Sequence, residues 1–381
     1  MKILIVAYTT RSYLGGMETY IRNLERGLRK RDILVESLFL DDAISPFQWK
    51  LIKLEALLKS FGVRDRYHVL VVQNFMNRLA KATGEKIEKF KPDLIHTQDV
   101  SSTTAITPFA LTTGIPIIMT DHGVLKPKGK DYQALISKNQ EITFRSVRAI
   151  ISPAEHMRDL LTQQAPWVRS FVVHHAIDVD DFIASGRGKN PFLMRPYILV
   201  VARFLPYKGI DIAIQAFSKI IKKYPNFHFI LAGHGPLYKK LQLLASSLKL
   251  SKSVHFLISV PHQEIPPLYK DAEIVWIPSK TGEGTIEPFS IVSLEAMAFS
   301  KPIVATNEGG PGEIFREGGA ILVPPGDPNA LAKTTLTLIK NSELAEKLGK
   351  EAGKILRERY NFDQWIDRMI KIYQEILTSK L

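Results

Sequence analysis

Short apolar runs punctuate this sequence at intervals, and helical patterns fill most of the gaps between them. Ile3–Val6, Ile33–Leu40, Leu94–Ile95, Ile115–Met119, Ala149–Ile151 and Phe171–Val173 make one series. Tyr197–Ala202, Phe227–Ala232, Val254–Phe256, Ile274–Ile277, Ile303–Ala305 and Ile321–Val323 make a second. A strand that is apolar at every position has both faces covered, and strands alternating with helices pair in parallel. Two series therefore predict an α/β protein with two doubly wound sheets. The 381 residues suit two domains of about 150–200 residues each. Gly and Pro punctuation at Ser185–Pro191 marks the linker. The expected division is 1–184 for the first domain, 185–196 for the linker, 197–360 for the second domain and 361–381 for a terminal helix. That helix carries an apolar stripe through Phe362, Trp365, Ile366, Met369, Ile370, Tyr373, Ile376 and Leu377, which either completes the second domain or crosses back to the first.

Hydrophobic residues make up 45% of the chain and charged residues 23%, which excludes a disordered, collagenous or disulfide-stapled protein. Cysteine is absent, so there is no thiolate metal site and no cysteine nucleophile. A reducing compartment fits this, as does a thermophilic source. The opening run Ile3–Ala7 is too short for a signal peptide, and a cytoplasmic location is the expectation. The uncharged stretch Val100–Thr120 contains Pro108, Gly114 and Pro116 and reads as helix, turn and strand rather than a membrane span.

The formal net charge of +13 favours anionic partners. It is spread over both halves without a basic tail, which argues for phosphate ligands and against nucleic acid. A membrane surface is a further expected partner. Phe47, Leu51, Leu54 and Leu58 form one helical stripe, Trp49, Ile52 and Ala56 a second, and Lys50, Lys53 and Lys59 lie between them. One stripe can pack on the first domain while the other meets an apolar acceptor or an anionic lipid surface; burial of both is the alternative.

In open parallel sheets, ligands sit beyond the carboxyl ends of the strands, and the polar motifs of this chain fall there. Gly15-Gly16 lies between the first strand and a helix, where glycine lets the backbone approach a ligand; a plain turn is the bland reading. His122 follows Ile115–Met119 and is placed to meet a substrate hydroxyl, or is simply a loop histidine. His174 and His175 adjoin on a strand, so they face opposite ways and make poor partners for one metal. Asp178, Asp180 and Asp181 imitate an Asp-x-Asp metal motif, but a solvated turn explains them better. Arg203 and Lys208 flank a Pro-containing loop at a helix entrance, a spacing that can hold a pyrophosphate. Pro278 to Ala298 runs from a strand through a Gly-rich loop into a helix starting near Pro288 or Phe289. Glu287 then stands at the helix entrance, Glu295 two turns along, and the N–H groups of Phe289, Ser290 and Ile291 face an anion.

In combination, Gly15-Gly16, Arg203-x4-Lys208 and Glu287-x7-Glu295 resemble the retaining nucleotide-sugar transferases of glycosyltransferase family 4. Leu294-Glu-Ala-Met-Ala, Lys301-Pro-Ile-Val-Ala-Thr, Gly309-Gly310 with Glu313, and Val323-Pro-Pro-Gly-Asp-Pro extend the resemblance over most of the chain. It implies a GT-B fold, with two Rossmann-like domains facing a central cleft and the C-terminal helix returning to the first. It also implies that Arg203 and Lys208 hold the donor diphosphate, Glu287 contacts the transferred sugar and Glu295 the ribose hydroxyls. His122 would bond the sugar near the reacting carbon, and Gly16 would lie near the phosphates or acceptor. The partners implied are a nucleotide-sugar donor and a hydroxyl acceptor. The cofactor expectation is none, with no metal required, because two cations and a helix N-terminus already meet the leaving diphosphate. The family commonly has glycine where this chain has Ser290, a small residue and glycine at Phe299-Ser300, and Pro-Asn-Gly at His174-His175-Ala176. A phosphorylase or epimerase on the same sheets, a nucleic-acid-binding protein, which would explain the charge alone, and an inactive sugar-nucleotide-binding subunit are the rival readings.

Overall fold

The computed structural model describes residues 1–10, 16–44, 65–123, 130–186, 189–190, 192, 194–282 and 285–379. Gly15 and the Phe47–Lys59 stripes lie outside these. The chain forms two compact units, Met1–His174 with Asp363–Leu381, and His175–Phe362.

The first unit holds six parallel strands: β1 (Lys2–Ala7), β2 (Leu34–Phe39), β3 (Leu94–Thr97), β4 (Ile117–Thr120), β5 (Ala149–Ser152) and β6 (Ser170–Val172), in the order β2-β1-β3-β4-β5-β6. Ile3 pairs with Val35 on one side and Leu94 on the other. Ile3, Leu4, Ile5 and Val6 have no exposed surface, which is why β1 is apolar throughout. The uncharged stretch resolves into a helix Val100–Thr113, a left-handed cap at Gly114 (φ 70°) and β4. Among the described residues, no helix is long and apolar enough to cross a membrane.

The terminal helix Phe362–Thr378 belongs to the first unit from Asp363 onward. Trp365, Ile366, Met369, Ile372, Tyr373 and Ile376 are buried. The stripe is therefore rotated from the expected one: Ile370 is half-buried, Leu377 is exposed, and Ile372 takes the inner position. Ile366 sits on Gly27, where an added Cβ would come within 2.2 Å of its Cδ1. Arg31 reaches Asp363 and Asp367, each at 3.0 Å.

The second unit repeats the plan with β7 (Tyr197–Val201), β8 (His228–Ala232), β9 (Val254–Leu257), β10 (Ile274–Ile277), β11 (Ile303–Thr306) and β12 (Ile321–Val323). Their order is β12-β11-β10-β7-β8-β9, so the sheet grows outward in both directions from the β7–β10 pair. That pair is the topological switch point, where the loops after the two strands part and leave a crevice. Phe217, Phe229 and Trp276 anchor the core, and Trp276 Nε1 donates to Thr335 Oγ1 at 2.9 Å.

The boundary falls at His174, ten residues before the expected position, because the helix Val179–Ser185 packs within the second unit. Its Phe182 meets the rings of Tyr269 and Phe299. Two residues of the expected linker are also packed: Phe192 is buried against Tyr197 and His255, and Asn190 donates to Tyr197 and Asp271.

Candidate active site

The second unit gathers charge just past its switch point. After β7 comes exposed Arg203, then a 3-10 turn, Pro206–Lys208, and Gly209. Gly209 has φ +62°, and a Cβ there would lie 1.8 Å from the carbonyl oxygen of Pro278. Only glycine lets this turn close onto the end of β10. The closure brings Lys208 Nζ to 2.6 Å from Glu287 Oε1, with the Glu287 side chain buried and 14% of the Lys208 side chain exposed. Ser279 Oγ donates to the other carboxylate oxygen of Glu287 at 3.1 Å. The Gly-rich loop is pinned elsewhere by Lys280 on Asp211 at 2.7 Å and by Thr281 on Glu308.

The helix that follows runs Ile291–Ala298, with Ser290 at its N-cap, two or three residues later than the expected start. Gly310 N–H takes the Glu287 carbonyl at 2.9 Å, and a Cβ on Gly310 would lie 2.7 Å from Phe289 Cα. This contact from a distant segment holds Glu287 to Phe289 out of the helix. The Phe289 ring instead packs on His175 at 5.0 Å and Tyr360 at 6.2 Å. The first helical N–H groups thus belong to Ile291 and Val292, because Ser293 N bonds Ser290 O; those of Phe289 and Ser290 precede the helix. Ser290 has φ −111°, ordinary for any residue, so serine replaces glycine here without backbone strain. At Ser300 the reverse holds, with φ +50°.

Glu295 is separate from the Lys208–Glu287 pair. Tyr269 Oη donates to Glu295 Oε2 at 2.8 Å. Burial pushes this carboxyl up to about 7, only partly offset by the tyrosine hydrogen bond. Phe299 stacks on Tyr269, with ring planes 9° apart.

In the first unit, His122 follows β4. Its Nε2 lies 3.0 Å from Gln98 Oε1, and its ring stands edge-on to Tyr20 at 4.8 Å. Burial pushes the imidazole down to about 3, so it is neutral at physiological pH. Gly16 opens the helix Gly16–Arg29. His174 and His175 lie beyond β6, which ends at Val172, rather than on it. His174 Nδ1 sits 2.9 Å from the Pro153 carbonyl oxygen in the first unit, while His175 belongs to the second. Asp178 is a helix N-cap, accepting from Asp181 N at 3.1 Å.

Sequence reasoning missed Ser279, Tyr269, Gln98 and Tyr20. Ser279 and Gln98 each lie within two residues of a strand end, the position that singled out His122, so that signal was present. Tyr269 lies inside a helix with nothing local to mark it.

Two doubly wound parallel sheets, with charged groups beyond the switch-point strands of one, define a Rossmann-like enzyme of GT-B architecture. The family model described as Glycosyl transferases group 1 matches residues 184–355, and that described as Glycosyltransferase Family 4 matches residues 14–181. An uncharacterized glycosyltransferase of Methanocaldococcus jannaschii is 30% identical over 69% of each chain. A D-inositol 3-phosphate glycosyltransferase of Corynebacterium jeikeium is 26% identical over 95% of this chain and 92% of its own. The solved structure of Anabaena HepE in complex with UDP-glucose has a TM-score of 0.74 at 20% identity, over 98% of this chain and all of that one. The chain belongs to glycosyltransferase family 4.

Proposed function

We propose that this glycosyltransferase moves a hexose from a UDP- or GDP-sugar to a hydroxyl acceptor, with retention at the anomeric carbon and without a metal, in glycan, glycolipid or polysaccharide synthesis. The observation that carries the reading is the pairing of Lys208 with the buried Glu287 carboxylate at the switch point. A lysine that sits so close to a buried carboxylate is held in place before any ligand arrives, which suits it to meet a phosphate. The nucleotide-sugar bound in the HepE structure and the glycosyl acceptor in the name of the Corynebacterium relative support the same substrate classes.

In this reading the bond from the anomeric carbon to the phosphate oxygen breaks, and the acceptor oxygen bonds to that carbon from the same face. The acceptor proton passes to the departing phosphate. Arg203, Lys208 and the N-terminus of the helix capped by Ser290 stabilise the growing phosphate charge. Glu287 faces the transferred sugar, neutral His122 bonds one of its hydroxyls, and Glu295 accepts from the ribose hydroxyls.

A thermal-shift panel of UDP-, GDP- and ADP-sugars tests the donor, since a ligand at 100 times its Kd stabilises by about 2.7 kcal/mol. NMR of the product then reads its anomeric configuration. Full turnover is expected in excess EDTA, and Arg203→Ala should lose about 10²–10³ in kcat. Turnover abolished by EDTA and restored by Mg²⁺ or Mn²⁺, with Arg203→Ala nearly silent, would overturn the metal-free mechanism. An inverted product would overturn retention.

A further inference from the structure

Beside His122, the first unit encloses a chain of polar groups drawn from four separate elements. His96 in β3 has no exposed surface. Its Nδ1 lies 2.8 Å from Tyr373 Oη in the terminal helix, and its Nε2 lies 2.7 Å from Thr120 Oγ1 in β4. Thr120 Oγ1 is in turn 3.2 Å from Tyr20 Oη, in the helix after β1. The Tyr20 ring is the one that stands edge-on to His122. The terminal helix touches Tyr20 a second time, through Trp365, with ring centroids 5.2 Å apart. Tyr20 is thus held at its hydroxyl by Thr120, which His96 links to Tyr373 of the last helix, and at its ring by Trp365 of that helix, while the same ring packs on His122.

Stability alone does not call for this arrangement. Phenylalanine at 20 and 373, valine at 120 and leucine at 96 would fill comparable space without desolvating polar groups. What a satisfied buried network adds is a single orientation for each member, since every hydrogen bond restricts a rotamer that packing alone leaves free. Burial keeps His96 uncharged, so it links two hydroxyls without bringing a charge into the core.

We infer that Tyr373, His96 and Thr120 are positioning residues which, through Tyr20, fix the His122 ring and make its placement depend on the docking of the terminal helix. The inference deepens the proposed function and rests on it for the role of His122, though not for the coupling itself.

The coupling is read on His122 directly, by the imidazole signals in long-range 1H–15N spectra of the full chain, assigned with His122→Asn and His96→Gln. Tyr373→Phe and Thr120→Val each remove one hydroxyl from the chain. Thr120→Ser keeps it, and Ile87→Val makes a small cavity in a core cluster of the same unit that holds none of the four network residues. The expected result is that His122 signals shift or broaden in Tyr373→Phe and Thr120→Val and stay in place in Thr120→Ser and Ile87→Val. With whichever nucleotide-sugar the thermal-shift panel selects, kcat should fall about tenfold in the first two variants, with KM for the donor unchanged. His122 signals that stay fixed in both hydroxyl deletions overturn the inference, as do signals that move equally in Ile87→Val. If no nucleotide-sugar is turned over, the proposed function fails, while the spectra still decide the coupling.

Discussion

Lys208 and Glu287 each enclose a charge whose compensation is the other. A buried ion pair adds little net stability compared with an apolar pair, yet removing one partner strands the other charge and costs about 3–5 kcal/mol. Glu287→Gln leaves the Lys208 ammonium against an amide, and Lys208→Met leaves a carboxylate with Ser279 as its remaining named partner. Each single variant should lose stability on that scale in urea unfolding, whereas Lys208→Met/Glu287→Gln should regain most of it. Activity should not follow stability. Glu287→Gln is expected to lower kcat on the order of 10²-fold with little change in nucleotide affinity, the mark of an interaction made mostly in the transition state. The double variant should stay at least as inactive as the worse single. Single variants as stable as the parent would mean that solvent screens the pair and that it cannot preorganise the lysine.

At the scale of elements, the turn Pro206–Lys208 depends on Gly209. In Gly209→Ala the new Cβ meets a backbone oxygen at 1.8 Å, which no rotamer change relieves, and alanine at this positive φ adds about 1–2 kcal/mol. The turn must move away from Pro278 and carry Lys208 off Glu287. Loss of about 10²-fold in kcat/KM and a lower melting temperature are expected, and a variant with parental kinetics would show that the turn does not place the lysine. The strands of both sheets were legible in the sequence, because an apolar run buried on both faces has no competing local reading. His122, Arg203 and Lys208 were singled out as residues past strand ends, and Glu287 and Glu295 from the helix that follows the Gly-rich loop. Their pairings were not: Lys208 and Glu287 lie 79 residues apart, and no local pattern encodes that contact. The helix start at Ile291 was misplaced for the same reason, since Gly310 decides it by claiming the Glu287 carbonyl. β3 runs on through His96 and Thr97 where the apolar pattern stops at Ile95, because both polar side chains find partners inside the unit.

For the whole molecule, the chain closes its first unit with its last helix, so that unit is discontinuous in sequence while the second, His175–Phe362, is continuous. The first unit can finish its core only after the second has been traversed. Trp365, Ile366, Met369, Ile372, Tyr373 and Ile376 are all buried there. At about 1.5–3 kcal/mol per large apolar side chain, their burial contributes about 9–18 kcal/mol before entropy is charged against it. A domain's entire net stability is about 5–15 kcal/mol. Truncation after Phe362 should therefore unfold the first unit at temperatures where the second survives. Calorimetry of the truncated chain is expected to show one transition in place of two, and limited proteolysis should spare a fragment from about His175 to Phe362. UDP or GDP, whichever the intact protein binds, should still raise the surviving transition, because Arg203, Lys208, Glu287 and Glu295 all lie in the second unit. A truncated chain that melts like its parent would show that the terminal helix only covers a first unit already complete, and the dependence of His122 on that helix would fall with it.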